Sequence, residues 1–260
     1  MIVSNNHISP HSIIGTNVTL GYNVIIESDV VIEDNVEIGH NVIIHSGVHI
    51  ESFCKIMDNV VLGKKPAKAS LSATTGEERE LPSLILGKAV TIGAGCIVYR
   101  GAVLHDQVFV GDMASIREDV EIGELTIIGR GVTVENKVSI GRKCKIETEA
   151  YITAMSTIEN YCFIAPEVTF TNDNFLGRTK ERKKYFAGPI LRRGARIGAN
   201  ATLLPGLEIG EDALIAAGSI VTKNVPSRVI VAGTPARYLR DVPEEQLIEN
   251  QVFFYKKREL

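Results

Sequence analysis

The stretch "VIEDNVEIGHNVIIHSGVHI", residues 31–50, sets Ile32, Ile38, Ile44 and Ile50 six apart, with Val36, Val42 and Val48 each two residues ahead of the next isoleucine. An amphipathic helix repeats near 3.6 residues and a half-buried strand repeats at 2, so a period of six marks short strands alternating with turns. Outward from this stretch the aliphatic series runs without a slip from Ile8 to Leu62, resumes at Leu86 as far as Phe170, and resumes again from Leu191 to Val221. The three blocks hold ten, fifteen and six hexads, thirty-one in all.

Hexads of the form aliphatic, Gly or small polar, two variable residues, small or Val, one variable residue resemble the left-handed parallel β-helix of hexapeptide-repeat proteins. That resemblance implies an all-β prism with three hexads to a turn, about ten turns, and a length on the order of 45 Å at the roughly 4.8 Å spacing of paired strands. First-position aliphatics fill it, and small fifth-position side chains fit its corners. Cys54, Cys96, Cys144 and Cys162 all occupy fifth positions, which makes them buried fillers and not disulfide partners or nucleophiles. The repeats span residues 1–225 as one unit, and residues 226–260 form an extension.

With 260 residues and a net charge of -3, the chain lacks the dominant basic run of a nucleic-acid binder. No apolar stretch approaches the ~18 residues of a membrane span and no signal pattern opens the sequence, so a cytoplasmic protein is expected.

The rhythm breaks twice, across 63–85 and 171–190, and solenoids place such excursions on functional faces. Lys64 and Lys65 open the first loop as candidates for phosphate contact, and Ser83 closes it. The second begins at Asn172 and Asp173 and reaches "RTKERKKY", long enough to touch a neighbouring subunit. Near the C-terminus, Pro226 and Pro235 stop regular strands, and Pro243 before Glu244 and Glu245 reads as the start of a short helix that caps the prism.

Residues eighteen apart stack one turn above another. One column then reads Tyr99, Arg117, Glu135, Thr153 and Thr171, none of them Gly, and ends beside Asn172 and Asp173. The columns through Gly87 and Gly93 are mostly small. The polar column is the leading candidate site, with Glu135 to take a proton or hydrogen bond from substrate and Arg117 to fix that carboxylate or contact substrate. The plain alternative is an exposed Arg117–Glu135 ion pair, worth ~0–1 kcal/mol.

"VVLGKKPA", "LPSLILG", "SIREDVEIG", "YITAMSTIENYCFIAPEVTFTND", "GPILRRGARIGANATLLPGLEIGEDALIAAGSIVTKNVP" and "VAGTPAR" together resemble acyl-CoA-dependent nucleotide-sugar N-acyltransferases, which act on amino-dideoxyhexoses linked to thymidine or uridine diphosphate. The anthrose-pathway branch of that family is included. The resemblance implies a homotrimer with sites between prisms, and acetyl- or 3-hydroxybutyryl-coenzyme A as co-substrate. It places Ala217, Gly218 and Ser219 beside the pantetheine arm, and Lys223 and Arg237 near coenzyme A phosphates.

The sequence departs from the pattern in three places. The "TNDNFLG" loop lacks the His that sugar and antibiotic acetyltransferases carry after Asn-Asp, Asp112 stands where relatives have His, and Ser83 stands where they have Asn. An amine that binds neutral and sheds its proton late tolerates the missing base. Ser83 leaves room that favours a 4-amino over a 3-amino sugar. His105 remains as a candidate base on its own edge, whereas His40, His45 and His49 read as surface residues. An O-acetyltransferase is the alternative. A metal-dependent carbonic anhydrase, which requires three converging His ligands, and a non-catalytic scaffold fit less well, and no metal site is expected.

Overall fold

The computed structural model describes residues 5–67 and 79–251. Each of the thirty-one hexads carries one short strand, His7–Ile8 the first and Ile220–Val221 the last of the series. Every third strand pairs in parallel, which builds three sheets of 11, 10 and 12 strands, called A, B and C in the order the chain meets them. The result is the expected all-β left-handed β-helix. First-position side chains such as Ile26, Ile116 and Phe170 are fully buried along the prism axis. The three edges are named AB, BC and CA for the sheets they join.

The turns require a positive φ once per hexad, and the sequence supplies it with Asn, Asp or Gly at many of those positions. At edge CA the resulting column of amides hydrogen-bonds into a ladder, Asn23 Nδ2 to Asn41 Oδ1 at 3.0 Å and Asn41 Nδ2 to Asn59 Oδ1 at 3.2 Å. The cysteines lie inside as expected. Burial pushes the Cys54 thiol up to about 12 and Cys96 up to about 11.

Both loops leave from edge AB: the first follows the sheet A strand Val61–Lys64 and returns at Ile85–Leu86 of sheet B, and the second follows Thr169–Phe170 and returns at Ile190–Leu191. Neither shifts the phase, because Ile50 pairs Leu86 and Ile158 pairs Leu191 in the same register as uninterrupted coils.

The extension differs from its sequence reading. The helix expected from Pro243 is realised as two single 3-10 turns, Glu244–Gln246 and Ile248–Asn250, and the rest of the expected helix lies outside the described residues. Pro235, read as a stop, instead sits in the turn of a strand pair. Val229–Gly233 adds to sheet C beside Leu214–Ile215 and Ala236–Asp241 pairs with it antiparallel. Five- and six-residue strands form here because the β-branched run Val229–Val231 has an edge to join, which the local sequence does not display.

Candidate functional site

The polar column forms edge AB between the two loops. Its centre is Arg117, whose Nε and Nη2 donate to the two oxygens of Glu118 at 2.9 and 3.2 Å, a bidentate pair. Nη1 faces Glu135 Oε2 at 3.5 Å, and the guanidinium carbon lies 4.9 Å from the Tyr99 ring centroid. Lys64 Nζ approaches that ring at 5.4 Å, brought there by a register shift between Leu62 and Lys64 where the first loop leaves the sheet. Burial works to lower the Arg117 pKa, but the Glu118 and Glu135 carboxylates outweigh it and the net shift is upward. Tyr151, outward on sheet A beside the column, has its phenol pushed up by burial and by the charge of Glu135.

Glu118 is the residue that sequence reasoning missed. It stands at the third hexad position, outside the stacked second-position column, yet it is only 5 % exposed. Because Glu118 occupies the guanidinium fork, Arg117 is locked in place and Glu135 receives only its end. The carboxylate of Glu135 therefore retains acceptor capacity. Farther along the column Thr153 is buried, and Thr171 Oγ1 donates to the Leu203 carbonyl at 2.9 Å.

The second loop folds on Asp173. Its Oδ1 accepts from Phe175 N at 2.9 Å, and its Oδ2 accepts from Gly177 N and Arg182 Nη1, both at 2.9 Å. Desolvation opposes ionisation, but the two backbone N–H groups and Arg182 prevail and hold the carboxyl below its ordinary value. Asp173 is thus an organiser of the loop. Asn172 takes part through its carbonyl, which accepts from Ala187 N at 3.4 Å. In the first loop, Arg100 Nε donates to the Leu81 carbonyl at 2.9 Å, and Arg79 pairs with Asp119. Ser83 is half-buried where that loop rejoins sheet B, and Lys65 lines a groove of about 570 Å³ with Glu27, His45 and Arg100.

Other candidates lie elsewhere on the chain. His105 is on edge BC, with Nε2 2.9 Å from Glu121 Oε1 on an exposed face. Asp112 is on edge CA, where Oδ1 accepts from Ala94 N at 2.8 Å as a turn cap. Ala217 and Gly218 are exposed on that same edge, and no atom of the other described residues stands within 4 Å of a side chain built on Gly218. Ser219 is turned inward, and its Oγ accepts from Gly233 N at 3.1 Å. That bond ties the strand pair carrying Arg237 to the Ala217–Gly218 turn. Lys223 and Arg237 are exposed. Within one chain, then, edge AB gathers Lys64, Tyr99, Arg117 and Glu135, while Asp112 lies on edge CA five rungs from Ala217 and Gly218. Among the described residues no group of three or more His, Cys, Asp or Glu is arranged to hold a metal, and no helix is long and apolar enough to cross a membrane.

Comparison with known proteins bears on the repeat first. Residues 101–136 match the bacterial transferase hexapeptide (six repeats), and residues 29–64 and 193–223 match the hexapeptide repeat of succinyl-transferase. Each of the three repeat blocks thus contains a segment that matches transferase hexapeptide repeats. Among individual relatives, 2,3,4,5-tetrahydropyridine-2,6-dicarboxylate N-acetyltransferase of Clostridium perfringens is 46% identical over 56 residues, 22% of this chain and 24% of that protein. The enzyme of the same name from Staphylococcus aureus is 41% identical over 63 residues, 24% of this chain and 26% of that protein. The matched part thus spans about a quarter of the length of these relatives. In three dimensions the chain is similar to a UDP-N-acetylglucosamine acyltransferase from Bacteroides fragilis, with a TM-score of 0.56 and 18% identity over 92% of this chain and 74% of that one. The Campylobacter jejuni UDP-N-acetylglucosamine acyltransferase gives a TM-score of 0.53 at 15% identity, over 90% and 72% of the two chains. At such identities the likeness establishes the fold.

Proposed function

We propose that this protein is a cytoplasmic acyltransferase that moves an acetyl or 3-hydroxybutyryl group from coenzyme A to the amine of a nucleotide-linked 3- or 4-amino-dideoxyhexose, dTDP-linked by resemblance, for surface glycan synthesis. The observation that carries it is the Tyr99–Arg117–Glu135 column, held between two loops that leave the same edge. The transferase repeats and the N-acetyltransferase relatives support the reaction class.

In this reading the amine enters neutral beside Glu135, which accepts one of its N–H bonds and orients the lone pair towards the thioester carbonyl carbon. The C–N bond forms, the C–S bond breaks, and the amine proton ends on the departing coenzyme A sulfur. Arg117 keeps Glu135 in place and does not touch substrate. Asn172 at the loop root, with Asp173 shaping the loop, closes one end of the channel. Lys64 and Lys65 meet the diphosphate at the other, and Ser83 borders the sugar.

A homotrimer completes the site. Beyond His7 on its first strand, outward positions of sheet A read Ile25, Ile43, Val61, Ile97, Ser115, Thr133, Tyr151, Thr169, Thr202 and Ile220, with no charged side chain among these ten, whereas sheet C presents Glu37, Lys55, Lys145 and Arg196. Packing neighbouring copies along sheet A brings edge CA of one, with Asp112, Ala217, Gly218, Ser219 and the Arg237 strand, towards edge AB of the next. Lys223 and Arg237 then face coenzyme A phosphates. Sedimentation equilibrium returning a monomer would remove this arrangement.

A second reading, O-acyl transfer with His105 as base, is favoured by the His105–Glu121 contact on edge BC. The deciding assay follows thiol release and product mass with acetyl- and 3-hydroxybutyryl-coenzyme A and a panel of thymidine- and uridine-diphosphate 3- and 4-amino sugars. Turnover with one amino sugar is expected. Thiol release only with hydroxyl acceptors, lost in His105→Ala, would replace N-acylation by the second reading.

A further inference from the structure

A cleft of about 320 Å³ lies on the opposite side of the prism, where the two C-terminal 3-10 turns fold over edge BC and the outer face of sheet C. Asp212 lines it and is 2 % exposed. Its Oδ1 accepts from Ile248 N at 3.1 Å, and its Oδ2 is buried without a partner among the described residues. Arg196 also lines the cleft. Its Nη1 donates to Gln246 Oε1 at 3.1 Å, while Nε and Nη2 are both buried and, among the described residues, unpartnered.

Nε–H and Nη2–H point to the same side of a guanidinium and together form the fork that takes two oxygens of one carboxylate or phosphate. The molecule shows this fork filled elsewhere: on Arg117 the same two atoms hold both oxygens of Glu118. On Arg196 no carboxylate of the described chain does so. Gly194, at φ +73, makes the space, since a side chain there would meet Asp212 Oδ1 at 2.5 Å. Lys145 stands two rungs from Arg196 on the same face and adds positive charge.

We propose that this cleft binds a small oxyanion that also carries a hydrogen-bond donor, with its carboxylate or phosphate on the Arg196 fork and its hydroxyl or ammonium on Asp212 Oδ2. Leaving a buried donor or acceptor without a partner is costly, and such a ligand satisfies three at once. Burial raises the Asp212 carboxyl and lowers the Arg196 guanidinium, so each is held away from water without a matching charge in hydrogen-bond contact. Edge BC lies across the prism from sheet A. This site is therefore separate from the proposed transfer edge and does not rest on that function.

The test is calorimetric titration of the full chain with lactate, with propionate as its hydroxyl-free counterpart, and with inorganic phosphate. One saturable site for lactate or for phosphate is expected, and which of the two binds tells whether the natural oxyanion is a carboxylate or a phosphate. Arg196→Lys, which keeps charge but loses the fork, weakens it about tenfold or more at an unchanged melting temperature. If lactate binds, Asp212→Asn narrows its advantage over propionate. In the unaltered protein, the Arg196 Nε–H resonance shifts on titration, a readout that needs no variant. Absence of saturable binding by all three probes, or binding indifferent to Arg196→Lys with no Nε–H shift, would overturn the proposal and leave these groups merely hydrated.

Discussion

Edges AB and CA follow the same six-residue rule and yet have opposite surfaces. At edge CA, Gly93, Gly111 and Gly129 press against the turn of the next coil, and a side chain built on Gly129 would stand 2.7 Å from Thr148 N. At edge AB the same hexad position carries Tyr99, Arg117, Glu135 and Thr153, and Arg117 reaches along the edge to Tyr99, Glu135 and Glu118. The difference shows how a repeat protein acquires chemistry without changing its backbone: it keeps one edge closed and lets side chains accumulate on another.

Glu135→Gln tests that contrast most strongly. It keeps the shape and removes the charge that accepts the amine N–H, and acyl transfer is expected to fall about 10- to 10²-fold with the melting curve unchanged. Near-normal turnover would reduce edge AB to an ordinary ion-pair surface. Next in size is Arg117→Met. It leaves Glu118, 5 % exposed, without its partner, and urea titration should show a loss of about 2–3 kcal/mol, discounted because Arg117 itself keeps some water contact. Adding Glu118→Gln should restore part of it; independent, additive losses would mean the two do not act as a pair.

Gly129→Ala approaches the contrast from the closed edge. Its new methyl group forces the Glu147–Thr148 backbone to move, at a cost of about 1–3 kcal/mol by thermal unfolding. If it proves as mild as Glu135→Ala, edge CA has room for side chains and is not closed. The smallest effect belongs to Lys55→Ala. Lys55 meets Glu37 at 3.1 Å with both side chains half exposed, and stability should change by no more than about 0.5 kcal/mol. A larger change would show that the outer face of sheet C matters beyond its solvation.

The interior of the prism was readable because each inward aliphatic side chain must recur at its place, so a spacing of six already specifies strand, face and neighbour. The same arithmetic located the Tyr99–Arg117–Glu135 column, since eighteen residues make one turn. It passed over Glu118, whose burial comes from Arg117 folding across it and not from its hexad position. It also passed over the strand pair 229–241, which breaks the hexad and forms only because sheet C offers an edge. The run "RVIVAG" was a local strand signal, though Pro235 after it read as a stop. Asp212 and Arg196 carry no sequence signal of their own. Their unpartnered atoms exist only once residues 244–250 have folded over them.

Because both loops re-enter in register, the span between them is a whole number of coils. Five rungs of sheet A separate the strand at Val61–Lys64 from the one at Thr169–Phe170, about 24 Å at ordinary strand spacing. The molecule is in effect a ruler graduated in single rungs. Inserting or deleting eighteen residues between the loops would lengthen or shorten the gap by one graduation, and no intermediate distance is available to this fold. Any molecule held at both ends of edge AB is therefore matched in discrete steps of about 4.8 Å.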